Sequence, residues 1–84
     1  MRFFLLVLMD IGDVVRLRQP FCPERERSES YQFGVVVGFA YQEEEETPTG
    51  VVVYLYNPES GSRYTDAWGD QGLFTFQFDE LDLP

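Results

Sequence analysis

The apolar positions of this chain fall into short runs, alternating or valine-rich, with turn residues between them. The densest run is Gly34-Val35-Val36-Val37-Gly38-Phe39-Ala40-Tyr41. A weaker echo precedes it, Gly12-Asp13-Val14-Val15-Arg16-Leu17-Arg18, and a closer one follows, Gly50-Val51-Val52-Val53-Tyr54-Leu55-Tyr56. In the first of these, Val15 and Leu17 face one side and Arg16 and Arg18 the other, the period of a half-buried strand. Pro20 and Pro23 are expected to end that strand, because proline donates nothing to a ladder. Residues 31–41 form the second strand, and Gly34 and Gly38 mark places where a bulge or bend lets the sheet curl. Residues 51–56 form the third.

Asn57-Pro58-Glu59-Ser60-Gly61 is turn chemistry. A short fourth strand is expected over 62–65, followed by a second turn-rich connection, Asp66–Gly72. Leu73–Phe78 is the fifth strand, with Phe74, Phe76 and Phe78 on its apolar face. Leu81 and Leu83 alternate after it, as in a turn of helix or a last strand. No stretch holds a 3.6-residue period long enough for a substantial helix. The pattern predicts an all-β fold: a small five-stranded barrel or strongly curled antiparallel sheet with little helix. Closure would hide strand edges that otherwise invite aggregation.

The 84 residues suit one domain, placed at 10–84. Residues 1–9 read as an N-terminal hydrophobic arm or extension. Their apolar run, Phe3 to Met9, is far short of the roughly 20 residues that span a bilayer. No small-residue cleavage site follows it before Asp10. No membrane span is expected.

Charge sharpens the picture. The net charge is −9, from 15 acidic and 6 basic residues, with no His. All the basic residues are arginine. Residues 1–30 balance, and residues 31–84 set ten acids against Arg63 alone. Such a chain repels a phosphate backbone, so nucleic acid is an unlikely partner on charge, and a basic protein is the electrostatically easy one. Glu43-Glu44-Glu45-Glu46 reads as a solvated hairpin tip. The single Cys22 forms no internal disulfide, which fits a reducing cytoplasm. Its neighbours Phe21 and Pro23 suggest a partly buried loop position.

Residue types exclude much chemistry. Without His there is no Ser-His-Asp or Cys-His arrangement. Without Lys there is no lysine nucleophile and no P-loop. One Cys makes no zinc site, and no calcium-loop spacing is present. No catalytic residue, metal or cofactor is expected.

Gly12-Asp13-Val14-Val15-Arg16-Leu17, a long polar loop, Gly34-Val35-Val36-Val37 and a terminal Phe76-Gln77-Phe78-Asp79-Glu80-Leu81 together resemble SH3-like barrels. The resemblance runs over roughly residues 10–83, and its motifs are short. The opening is similar to those of the nitrile hydratase beta-chain barrel and the ferredoxin–thioredoxin reductase variable chain. This points to a small bacterial family of the kind found in cyanobacteria. The nitrile hydratase barrel has a His-Thr-Arg-type segment in its first long loop; here Arg25 and Arg27 stand in a loop without His. The resemblance implies an SH3-like fold and a non-catalytic accessory subunit of a larger assembly, and carries over no catalytic residue.

Two features point to partner binding. The first is aromatic: Trp68 above all, in a Gly-flanked loop, with Tyr64 and Tyr31. Tyr and Trp combine large apolar area with a polar tip. The second is the arginine group Arg16, Arg18, Arg25 and Arg27, expected to make a local basic patch or to pair with nearby carboxylates. The leading expectation is a non-catalytic protein-interaction module. One alternative is a nucleic-acid-binding SH3-like domain that stacks bases on Tyr31 and Phe33 beside the arginines. Another is an acidic decoy that occupies a basic partner.

Overall fold

The computed structural model describes residues 9–24 and 29–82. Among the described residues the fold is all-β, with one antiparallel sheet of six strands and one 3-10 turn. The strands are β1 (Val14–Phe21), β2 (Tyr31–Ala40), β3 (Gly50–Asn57), β4 (Ser62–Arg63), β5 (Leu73–Phe76) and β6 (Leu81–Asp82). The 3-10 turn, Phe78–Glu80, lies between β5 and β6. The lateral order is β6-β1-β2-β3, and the far edge of β3 carries both β4 and β5. β5 pairs with Val51–Tyr54, and β4 pairs with Tyr56 and Asn57. No helix among the described residues is long and apolar enough to cross a membrane.

Alternation decides which side chains go inward. Val15 and Leu17 of β1, Val36 of β2, Val51, Val53 and Leu55 of β3, and Phe76 of β5 are all buried. Leu81 of β6 joins them opposite Leu17. Burying a side chain of this size contributes about 1.5–3 kcal/mol, so these positions hold the sheet together. The sheet curls over them. β1 and β5 lie far apart in the lateral order, yet the Phe21 ring of β1 meets Phe74 and Phe76 of β5 edge-on, at 5.2 and 5.5 Å. Tyr64 continues this cluster to Phe74 at 5.8 Å and to Tyr31 at 6.0 Å. No ladder closes the two sheet edges among the described residues.

The curl has a local cause in β2. The register with β3 shifts between Val36 and Gly38, so one extra residue, Val37, is inserted there. Such a bulge bends the strand and increases its twist. The two glycines expected to share that work divide it. Gly38 lies at the bulge. Gly34 permits close approach: a Cβ there would stand 2.9 Å from Val53 Cγ2.

Several expectations are corrected. β1 runs through Pro20 to Phe21 instead of stopping at Arg18. The ladder to β2 is irregular between Arg16 and Phe21, and β6 pairs only with Arg16 and Leu17, so no bond is asked of the proline nitrogen. The strand count is six, because Leu81–Asp82 returns to β1. Phe78 belongs to the 3-10 turn rather than to β5. Cys22 is exposed, since Phe21 points inward and the next residue points out. Met9, expected in the N-terminal arm, is buried in the core. The rest of that arm, residues 1–8, lies outside the described residues.

Candidate functional site

Of the seven residues expected to meet a partner, the five that the structure describes separate into core and surface. Tyr31 and Tyr64 are 5% and 6% exposed and pack ring against ring. They belong to the core, where their aromatic area links β2 to the segment after β4. Tyr31 is therefore not on the surface for a base to stack on. Gly72 covers Tyr64 so closely that a Cβ there would meet its ring at 2.9 Å. Arg25 and Arg27 lie outside the described residues. Trp68, Arg16 and Arg18 stand at the surface.

Trp68 is 85% exposed. The loop that carries it is held by its own hydrogen bonds. Asp66 Oδ1 accepts from the backbone N–H groups of both Trp68 and Asp70, each at 2.9 Å. Asp66 N–H donates to the Asp70 carbonyl at 2.8 Å, and Gly69 N–H donates to the Asp66 carbonyl at 3.0 Å. A bridge between Thr65 and Gln71 closes the base. Gly69 has φ +83°, a conformation other residues adopt at a cost. Asp66 and Gly69 thus fix a tight turn with Trp68 at its apex. The indole presents a large rigid apolar surface, and the Asp66 and Asp70 carboxylates flank its base.

Arg16 and Arg18 project from the outer side of the sheet, opposite the core-facing Val15 and Leu17. Arg18 Nε donates to Asp82 Oδ1 at 2.9 Å; both side chains are about half exposed. The partner is Asp82 of β6, not the carboxylates near in sequence. Exposed pairs of this kind contribute about 0–1 kcal/mol. On the same side, Arg63 of β4 lies over the Tyr54 ring, 5.5 Å from its centroid. Sequence spacing gave no hint of Arg63 as a member of this set, because only the β3–β4 pairing brings it there.

Other candidates hold less. Glu43 to Glu46 are all exposed in the β2–β3 connection, and Glu44 has a positive φ of 69°. Cys22 Sγ donates to the Glu24 carbonyl at 3.2 Å. An open cleft lies between the end of β1 and the 3-10 turn, lined by Arg18, Pro20, Phe21, Phe76, Asp79 and Glu80. Among the described residues no group of three His, Cys, Asp or Glu side chains is placed to hold a metal ion. Comparison with protein-family models, with curated proteins and with solved structures gives no match.

Proposed function

We propose that the chain is a non-catalytic protein-interaction module, an accessory subunit that docks through Trp68. One observation carries this reading: a tryptophan 85% exposed at the apex of a hydrogen-bonded turn. Tryptophan is the residue type most often found as the energetic anchor of an interface, seated in a desolvated pocket. A loop backbone already held in place loses little freedom on docking, which lowers the cost of association. The partner surface that fits is an apolar pocket with a basic rim, facing Asp66 and Asp70. The net charge of −9 favours encounter with such a surface.

The module is read as an SH3-like barrel. The order β6-β1-β2-β3-β5, with the last strand returning to β1 after a 3-10 turn, supports that reading. The residue types support the non-catalytic part, since the chain offers neither His nor Lys.

The test is an affinity capture with the full chain and with Trp68→Ala, followed by mass spectrometry and a melting curve for each. The expected outcome is a recurrent partner lost with Trp68→Ala, with the melting temperature unchanged. Unchanged capture by the variant overturns the docking role, and so does a variant that unfolds.

A further inference from the structure

The outer side of the sheet holds a second surface, independent of Trp68. The strand registers line up one row of residues across five strands: Asp82 of β6, Arg16 of β1, Phe33 of β2, Tyr56 of β3 and Arg63 of β4. The next row is Val14, Val35, Tyr54 and Leu73, from β1, β2, β3 and β5. Phe33, Val35, Tyr54 and Tyr56 are only half-buried, and none of them packs against the core. Leu73 is 56% exposed.

The charge on this side is the reverse of the molecule's. Arg16, Arg18 and Arg63 are all the described arginines, and all three stand here. Every described carboxylate except Asp82 lies in a connection between strands or in the turn before β1. The Debye length is about 8–10 Å at physiological ionic strength, so a small ligand on the sheet feels these arginines more than the distant loops. A nucleic acid strand would carry further phosphates past the row towards Glu59, beside the cleft that Phe33 and Tyr56 line, and into the field of the loops.

Spacing narrows the ligand. Arg16 and Arg63 are three strand positions apart, about 14 Å at the usual separation of neighbouring strands. An extended peptide rises about 3.3 Å per residue, so carboxylates four residues apart reach both. We propose that the outer side of this sheet binds an extended acidic segment of a partner protein. Its two carboxylates, four residues apart, meet Arg16 and Arg63, and the apolar side chain midway between them, on the same face of the segment, lies on Phe33 and Tyr56.

The test is a titration of the ¹⁵N-labelled full chain, followed by amide shifts. The probe is the blocked peptide Asp-Leu-Tyr-Leu-Asp. The controls are Asn-Leu-Tyr-Leu-Asn and a five-nucleotide oligothymidine. Arg16→Gln and Arg63→Gln replace exposed side chains and keep the fold. The expected result is saturable shifts confined to β1–β4, and affinity reduced about fivefold by each variant, the upper end for an exposed ion pair. Trp68→Ala leaves the affinity unchanged, which separates this site from the Trp68 docking reading. No saturation at millimolar peptide overturns the proposal. So does equal binding of the Asn control, binding of the oligonucleotide alone, or shifts centred on residues 65–71.

Discussion

Gly34 and Gly38 frame the densest apolar run of the chain, yet the structure gives them opposite tolerances. A Cβ on Gly34 would meet Val53 Cγ2 at 2.9 Å and the Tyr54 carbonyl oxygen at 3.2 Å. Neither can retreat, because Val53 is fully buried and the carbonyl is backbone. Gly34→Ala is therefore expected to cost about 1–3 kcal/mol, the usual penalty of overpacking a core. A Cβ on Gly38 meets nothing within 4 Å. Its φ lies outside the positive region, so alanine fits there, and the unfolded chain loses freedom. Gly38→Ala should be neutral or stabilising by up to about 1 kcal/mol. Urea midpoints of the two variants check the pair, and equal destabilisation would refute the division of roles. The same logic separates the aromatic residues. Tyr64 and Trp68 stand four positions apart in one turn-rich stretch, and composition cannot tell them apart. One ring lies beneath Gly72 and the other projects into solvent.

At the scale of elements, the Asp66–Asp70 turn is closed by hydrogen bonds within itself. One oxygen, Asp66 Oδ1, accepts two backbone N–H groups. Asp66→Ala removes both bonds, each contributing about 0.5–1.5 kcal/mol, and frees the Trp68 backbone. Asp66→Asn keeps the acceptor. Faster hydrogen exchange at the Trp68 and Asp70 amides is expected for the alanine variant and not for asparagine. If both variants exchange like the parent, the turn is held by its other bonds. The strands themselves were largely legible in the sequence. Alternation at Val15 and Leu17 set the face of β1 correctly, because burial imposes period two on any strand with one wet side. Pairing partners were not legible. The return of Leu81–Asp82 to β1 and the meeting of Arg63 with Tyr54 are contacts between separate segments of the chain. Nothing in the local pattern records them. The Trp68 loop was readable as a turn from its Asp and Gly, but the double acceptor role of Asp66 needed coordinates.

At the scale of the whole molecule, the described arginines stand on the sheet and every described carboxylate except Asp82 stands in a connection or in the turn before β1, and this has a consequence for stability. At pH 7 the chain carries −9. Glu43–Glu46 put four of those charges on adjacent residues. The Arg18–Asp82 pair adds little attraction against this, because it is 57% and 47% exposed and so strongly screened. Repulsion among like charges weakens the compact state more than the expanded one, and salt screens it over a Debye length of about 10 Å at 0.1 M and about 3 Å at 1 M. The melting temperature should therefore rise as sodium chloride increases from 10 mM to 500 mM. A chloride salt suits this test because sulfate would add a separate strengthening of apolar burial. Total stability for 84 residues is roughly 4–13 kcal/mol, so a gain of about 1 kcal/mol is visible in a thermal scan. Replacing Glu43–Glu46 by glutamine should raise the melting temperature at low salt and flatten its dependence on salt, since those side chains are exposed. A melting temperature that falls with salt would mean that attraction dominates, with the arginines and carboxylates of the sheet and its loops coupled more tightly than the exposed Arg18–Asp82 pair indicates.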